Sequence, residues 1–119
     1  MNQEDKRKNK RIDSHNLLAF SCLDENGEVV TQGMGRTLDV SEGGILLETH
    51  APLDPRYSVS LSIGMEEDVM DFIGKVAYTR QKESGDCEAG IQFLDMDAEK
   101  ARVLRQFAVI FKDEMAESL

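Results

Sequence analysis

A chain of 119 residues with 14 Lys and Arg against 23 Asp and Glu has room for one domain. A domain of that size buries roughly two thirds of its unfolded surface in a single core, without disulfide or metal support. The formal charge of -9 is unevenly placed: residues 1–11 hold five basic and two acidic side chains (+3), which leaves residues 12–119 at -12, a body that repels nucleic acid and anionic membranes.

In chain order, residues 1–10 are polar and charged, with nothing to bury, and read as a flexible basic arm. No apolar h-region of a secretory signal is present, and no apolar run approaches the roughly 18 residues that span a bilayer, so a soluble cytoplasmic protein is expected. Residues 16–23 form a short apolar run, and Asp24-Glu25-Asn26-Gly27 ends in the Asn-Gly pair of a tight hairpin. A second strand is expected from residue 28 to 31, with Gly33 and Gly35 marking a bulge or bend before the segment 36–40. After Ser41-Glu42-Gly43-Gly44 comes a third strand over 45–49, and Pro52 and Pro55 bracket a loop.

Residues 57–65 alternate, with Val59, Leu61, Ile63 and Met65 on one face and Ser58, Ser60 and Ser62 on the other. Glu66-Glu67-Asp68 is a charged turn, beyond which Met70, Phe72, Gly74, Val76 and Tyr78 alternate against Asp71, Lys75 and Thr79. Residues 83–86 turn the chain again, and Ala89, Ile91 and Phe93 mark the last strand. From Asp97 to Met115 the spacing changes to three and four. Ala101, Leu104, Ala108, Phe111 and Met115 make an apolar helical stripe widened by Val103, Phe107 and Ile110, with Asp97 and Glu99 at its negative-tolerant start. Short strands joined by turns and closed by one amphipathic helix predict an all-β barrel or sandwich with a terminal helix. The helix would cover an open end of a barrel or meet a partner.

The chemistry is sparse. Cys22 and Cys87 have no CxxC spacing and read as reduced, partly buried thiols. His15 and His50 have no further ligand at zinc spacing, Gly33-Met34-Gly35 lacks the third glycine and helix of a dinucleotide fingerprint, and no phosphate loop or nucleophile elbow occurs. The carboxylates are scattered through turns without an acid-base pair, so no enzyme, metal or cofactor is expected. Two stretches stand apart. In an extended segment Asp39 and Ser41 leave the same face, and Gly43 and Gly44 allow a sharp bend and a close approach, which makes a small hydrogen-bonding rim. Lys6-Arg7-Lys8-Asn9-Lys10-Arg11 packs five cations into six residues, and its arginines offer planar forks that hold phosphate and stack on a purine.

Arg7-x-x-x-Arg11 ahead of the first strand, followed by Asp39-x-Ser41-x-x-Gly44, resembles the paired RxxxR and (D/N)xSxxG motifs of the PilZ domain family. The strand texts around Thr37–Ile45 and Ala89-Gly90-Ile91-Gln92-Phe93 are also similar, and the resemblance covers residues 5 to 112. It implies a six-stranded antiparallel β-barrel over residues 12–119, with the terminal helix from about residue 97, preceded by the basic arm of residues 1–11. It further implies that cyclic di-GMP is bound, with no cofactor. Arg7 and Arg11 would engage phosphate and guanine, Asp39 and Ser41 would hydrogen-bond the ligand, and Gly44 would keep the backbone clear of it. Lys6, Lys10, Arg36 and Gly43 are secondary candidates. Without a second domain in the sequence, the expected output is relay to a downstream protein partner by a non-catalytic adaptor, with no DNA or RNA binding and no membrane insertion. The alternatives are a PilZ-like protein-interaction scaffold without nucleotide binding and, more remotely, a basic-arm nucleic-acid binder.

Overall fold

Apolar-polar alternation becomes six strands followed by one helix in the computed structural model, which describes residues 17–65 and 68–117. The elements are β1 (Leu17–Leu23), β2 (Val29–Val40), β3 (Gly44–Thr49), β4 (Ser58–Met65), β5 (Asp68–Gln81), β6 (Cys87–Phe93) and α1 (Ala98–Glu117). The basic arm with Lys6, Arg7, Lys10 and Arg11 lies outside the described residues, as do His15, Glu66 and Glu67 and the side chains of Met65 and Met115.

All neighbouring strands pair antiparallel in the order β1-β2-β3-β6-β5-β4, and β1 pairs with both β2 and β4, so the sheet closes into a barrel. Closure decides between the barrel and the sandwich, and it satisfies the ladder without exposing an edge. The expected hairpin turns hold. Gly27 takes the left-handed φ of 81° that ends the Asp24–Gly27 turn, its N–H donating to the Asp24 carbonyl, while Asp24 Oδ1 accepts from the N–H groups of Asn26 and Glu28. Gly85, at φ 99°, repeats the arrangement between β5 and β6, where its N–H donates to the Lys82 carbonyl.

One expected break is absent. β2 runs unbroken through Gly33 and Gly35, so neither marks a bulge or a bend there. A Cβ on Gly33 would lie 2.9 Å from Phe20 Cζ, and one on Gly35 2.6 Å from Leu47 Cδ2; these glycines leave room for core side chains lying across the strand.

The core is one cluster. Val59, Leu61 and Ile63 from β4, Phe72 from β5 and Leu47 from β3 are fully buried, and the Phe72 and Phe93 rings meet at 5.5 Å between centroids. Val103, Leu104, Phe107 and Phe111 join this cluster from α1, which packs against β4 and covers one end of the barrel. Both phenylalanines are therefore used inside the domain. Asp97 is the helix N-cap, its Oδ1 accepting from the N–H of Lys100 at 2.8 Å. Asp97→Ala is expected to cost about 1 kcal/mol in urea unfolding, the usual value of a lost cap, with Asp97→Asn recovering most of it.

Cys22 and Cys87 are free and buried. Burial, with a smaller contribution from the Asp54 carboxylate, pushes the Cys22 thiol up, which keeps it protonated and unreactive.

Candidate functional site

Two β-bulges create the site. Between Thr37 and Asp39 the β2–β3 register shifts by one, so Leu38 is the extra residue, and Asp39 leaves the outer face although Thr37, two residues before it, is buried. Between Val76 and Tyr78 the β5–β6 register shifts in the same way, with Ala77 as the extra residue. Strict alternation placed Tyr78 inward with Phe72 and Val76; the bulge turns it out, and it is 55% exposed. Bulges commonly re-aim side chains at functional positions.

Pairing places these two residues at the ends of one row, Asp39–Leu46–Gly90–Tyr78, crossing β2, β3, β6 and β5 on the outer surface. At strand spacings near 4.8 Å the row is roughly 14 Å long. The Tyr78 ring lies over Gly90, where an added Cβ would fall 2.7 Å from its Cδ1 and Cζ. The Tyr78 ring thus lies directly on the Gly90 backbone, and the half-buried Leu46 side chain separates it from Asp39. An open depression of about 380 Å³ follows the row, lined also by Ser41, Gly43, Gly44 and Gln92.

The rim is held by its own hydrogen bonds. Asp39 Oδ1 accepts from the Val40 N–H at 2.9 Å, and the Gly44 carbonyl accepts from the Ser41 N–H at 2.9 Å and from the Ser41 hydroxyl at 3.4 Å. The Gly43 carbonyl accepts from the Phe93 N–H at 3.0 Å, tying the loop to β6. Gly44 is required by close approach, since a Cβ there would strike the Ile91 carbonyl oxygen of β6. Neither Gly43 nor Gly44 adopts a left-handed φ, so the turn is not what demands glycine.

The neighbouring row, Arg36–Glu48–Glu88–Arg80, is charged. Arg80 donates to Glu88 Oε1 at 2.6 Å, and Lys82 bridges Glu48 and Glu88. The bond to Glu48 holds the Lys82 ammonium above its usual range. Arg36 does not line the depression; it lines a separate groove of about 220 Å³ with Leu17, Met34 and His50, whose Nδ1 is 3.3 Å from Asp86 Oδ1.

The structure thus brings Asp39, Ser41, Gly43 and Gly44 together, sets Arg36 apart and adds Tyr78, Gly90 and Gln92. Gly90, a glycine inside an apolar strand, was the available signal that something approaches closely there. Nothing local to Tyr78 announces the bulge before it. A carboxylate and a hydroxyl at one end and an aromatic face at the other suit a flat ligand bearing hydrogen-bond donors. Among the described residues no group of three or more His, Cys, Asp or Glu is placed to hold a metal ion, and no helix is long and apolar enough to cross a membrane.

Comparison with known proteins agrees with this architecture. The family model for the PilZ domain matches residues 5–109. A search of curated proteins found no match. Among solved structures, the PilZ domain with c-di-GMP of YcgR from Escherichia coli superposes with a TM-score of 0.63 at 13% identity, covering 87% of this chain and 88% of that one. The PilZ domain of CeSA from a cellulose-synthesizing bacterium gives 0.55 at 11% identity, over 81% and 93% of the two chains. Apo MrkH of K. pneumonia gives 0.57 at 16% identity over 86% of this chain, which spans 49% of that protein.

Proposed function

The chain belongs to the PilZ domain family, and from that premise we propose that it is a non-catalytic receptor for cyclic di-GMP, acting in the cytoplasm and relaying the ligand's presence to a partner protein. The observation that supports this best is the row Asp39–Leu46–Gly90–Tyr78, whose two ends are turned outward by separate bulges onto one face.

The ligand's chemistry matches. Cyclic di-GMP carries two guanines with N1–H and N2–H donors and two phosphates. Asp39 accepts from the donors, Ser41 adds a second polar contact, and Tyr78 stacks on a purine face. Among the described residues the depression is lined by one charged side chain, Asp39, so phosphate recognition falls to cations outside that lining. Arg7 and Arg11 of the family motif fill that role, with Lys6 and Lys10 beside them. In this reading the arm closes over the bound ligand and becomes ordered, changing the surface a partner meets.

Isothermal titration of the chain with cyclic di-GMP tests the proposal. Saturable micromolar or tighter binding is expected. Absence of binding at high micromolar ligand would overturn the receptor reading and leave the scaffold without nucleotide. Tyr78→Ala is expected to raise Kd between about 5- and 100-fold, since one base stacked on an aromatic ring is worth about 1–3 kcal/mol. Tyr78→Phe should bind like the parent chain, and both variants should melt within a few degrees of it, because the ring lies outside the core.

A further inference from the structure

Building on the receptor reading, we propose that Lys75 is a ligand-directed cation of this site, placed on the same edge of the outer face as Tyr78. Lys75 is the β5 partner of Gln92, which is the β6 partner of Gly44; Gly44 and Gln92 line the depression, and Lys75 continues their row one strand beyond it. It stands two strand spacings from Gly44, roughly 10 Å, with a long side chain to close the gap. The bulge at Ala77 matters again. In a regular strand, residues three apart face opposite ways, but Lys75 and Tyr78 are both exposed on the outer face because one extra residue separates them. A cation and an aromatic ring thereby share one edge of the same surface.

The other cations of this face are engaged or elsewhere. Arg80 is bonded to Glu88, Lys82 bridges Glu48 and Glu88, and Arg36 lines the second groove. Lys75 has no ion-pair partner among the described residues, in a body whose acids outnumber its bases. The Gly44–Gln92–Lys75 row lies on the side of the Asp39–Leu46–Gly90–Tyr78 row away from the paired charges of Glu48, Glu88 and Arg80. A phosphate on that side of a bound ligand is therefore met by a cation of the barrel itself.

The test is calorimetric titration of the full chain with cyclic di-GMP at low and at physiological salt. Lys75→Gln should raise Kd roughly three- to tenfold, the range of one charge-assisted contact at a partly exposed site. Lys75→Arg should restore binding to within about twofold, and the gap between the parent chain and Lys75→Gln should shrink as salt rises. Lys112→Gln removes the same charge from the exposed face of α1 and should leave Kd unchanged. Two results would overturn the assignment: unchanged affinity of Lys75→Gln at low salt while the parent chain binds, or an equal loss in Lys112→Gln, which would reduce the effect to net charge. A parent chain that binds no cyclic di-GMP removes the receptor reading, and this assignment with it.

Discussion

Asp39→Ala is expected to weaken cyclic di-GMP binding by about 30-fold to several-thousand-fold, because losing one partner of a desolvated charged contact costs on the order of 2–5 kcal/mol. Its folding should be intact. The Asp39 side chain leaves the outer face, its one hydrogen bond among the described residues goes to the adjacent Val40 N–H, and no core contact depends on it. Unfolding midpoint and affinity should therefore separate cleanly in the same preparation. Asp39→Asn makes the chemistry specific: it keeps one acceptor oxygen but turns an NH2 group toward guanine donors, so it should behave more like alanine than like the parent chain. Combining Asp39→Ala with Arg11→Ala closes a double-mutant cycle. If the rim and the arm hold one ligand between them, the two losses should fall short of additivity by about 0.5–3 kcal/mol. Strict additivity would mean that arm and rim act separately, and a twofold effect of Asp39→Ala would remove the rim from the site.

Phe107→Ala is expected to destabilise the domain by about 3–5 kcal/mol, a large share of the 5–15 kcal/mol by which domains of this kind are stable. Phe107 is 1% exposed and stacks on Phe111 at 6.4 Å between centroids, within the cluster that also holds Leu61 and Phe72 of the barrel. Removing the ring leaves a cavity where the helix seals the barrel end. Urea unfolding followed by far-UV circular dichroism should show a single transition at lower midpoint. Val109→Ala, two residues along and 59% exposed, should stay within about 0.5 kcal/mol of the parent. A cost below about 1 kcal/mol for Phe107→Ala would mean that α1 lies outside the cooperative core and is available to a partner, contrary to its packing here.

Much of the architecture was legible because it is written in short-range pattern. The serines of β4 alternate with Val59, Leu61 and Ile63, and only an inner face can use such a set. Asn26-Gly27 and Ser84-Gly85 announce their turns, and the change of period after Asp97 announces the helix. The rim residues Asp39, Ser41, Gly43 and Gly44 were legible as a motif, and the fold gathers them around one depression. The glycines of β2 were misread. Gly33 and Gly35 signal close approach as readily as a bend, and which of the two applies depends on Phe20 and Leu47, residues on other strands.

The residues by themselves determined an all-β domain with a terminal helix, an acidic body and a basic amino-terminal sequence, since composition, alternation and turn chemistry are properties of neighbours in sequence. Only the tertiary structure decided that the sheet closes, that Asp39 and Tyr78 share a row, and that Lys75 lies on the same face as Tyr78. Each of these depends on strand register. A bulge exists only relative to the partner strand that it mismatches, so Leu38 and Ala77 carry no local mark of the turn they impose, and four strands must pair before a carboxylate and an aromatic ring 39 residues apart can lie in one row.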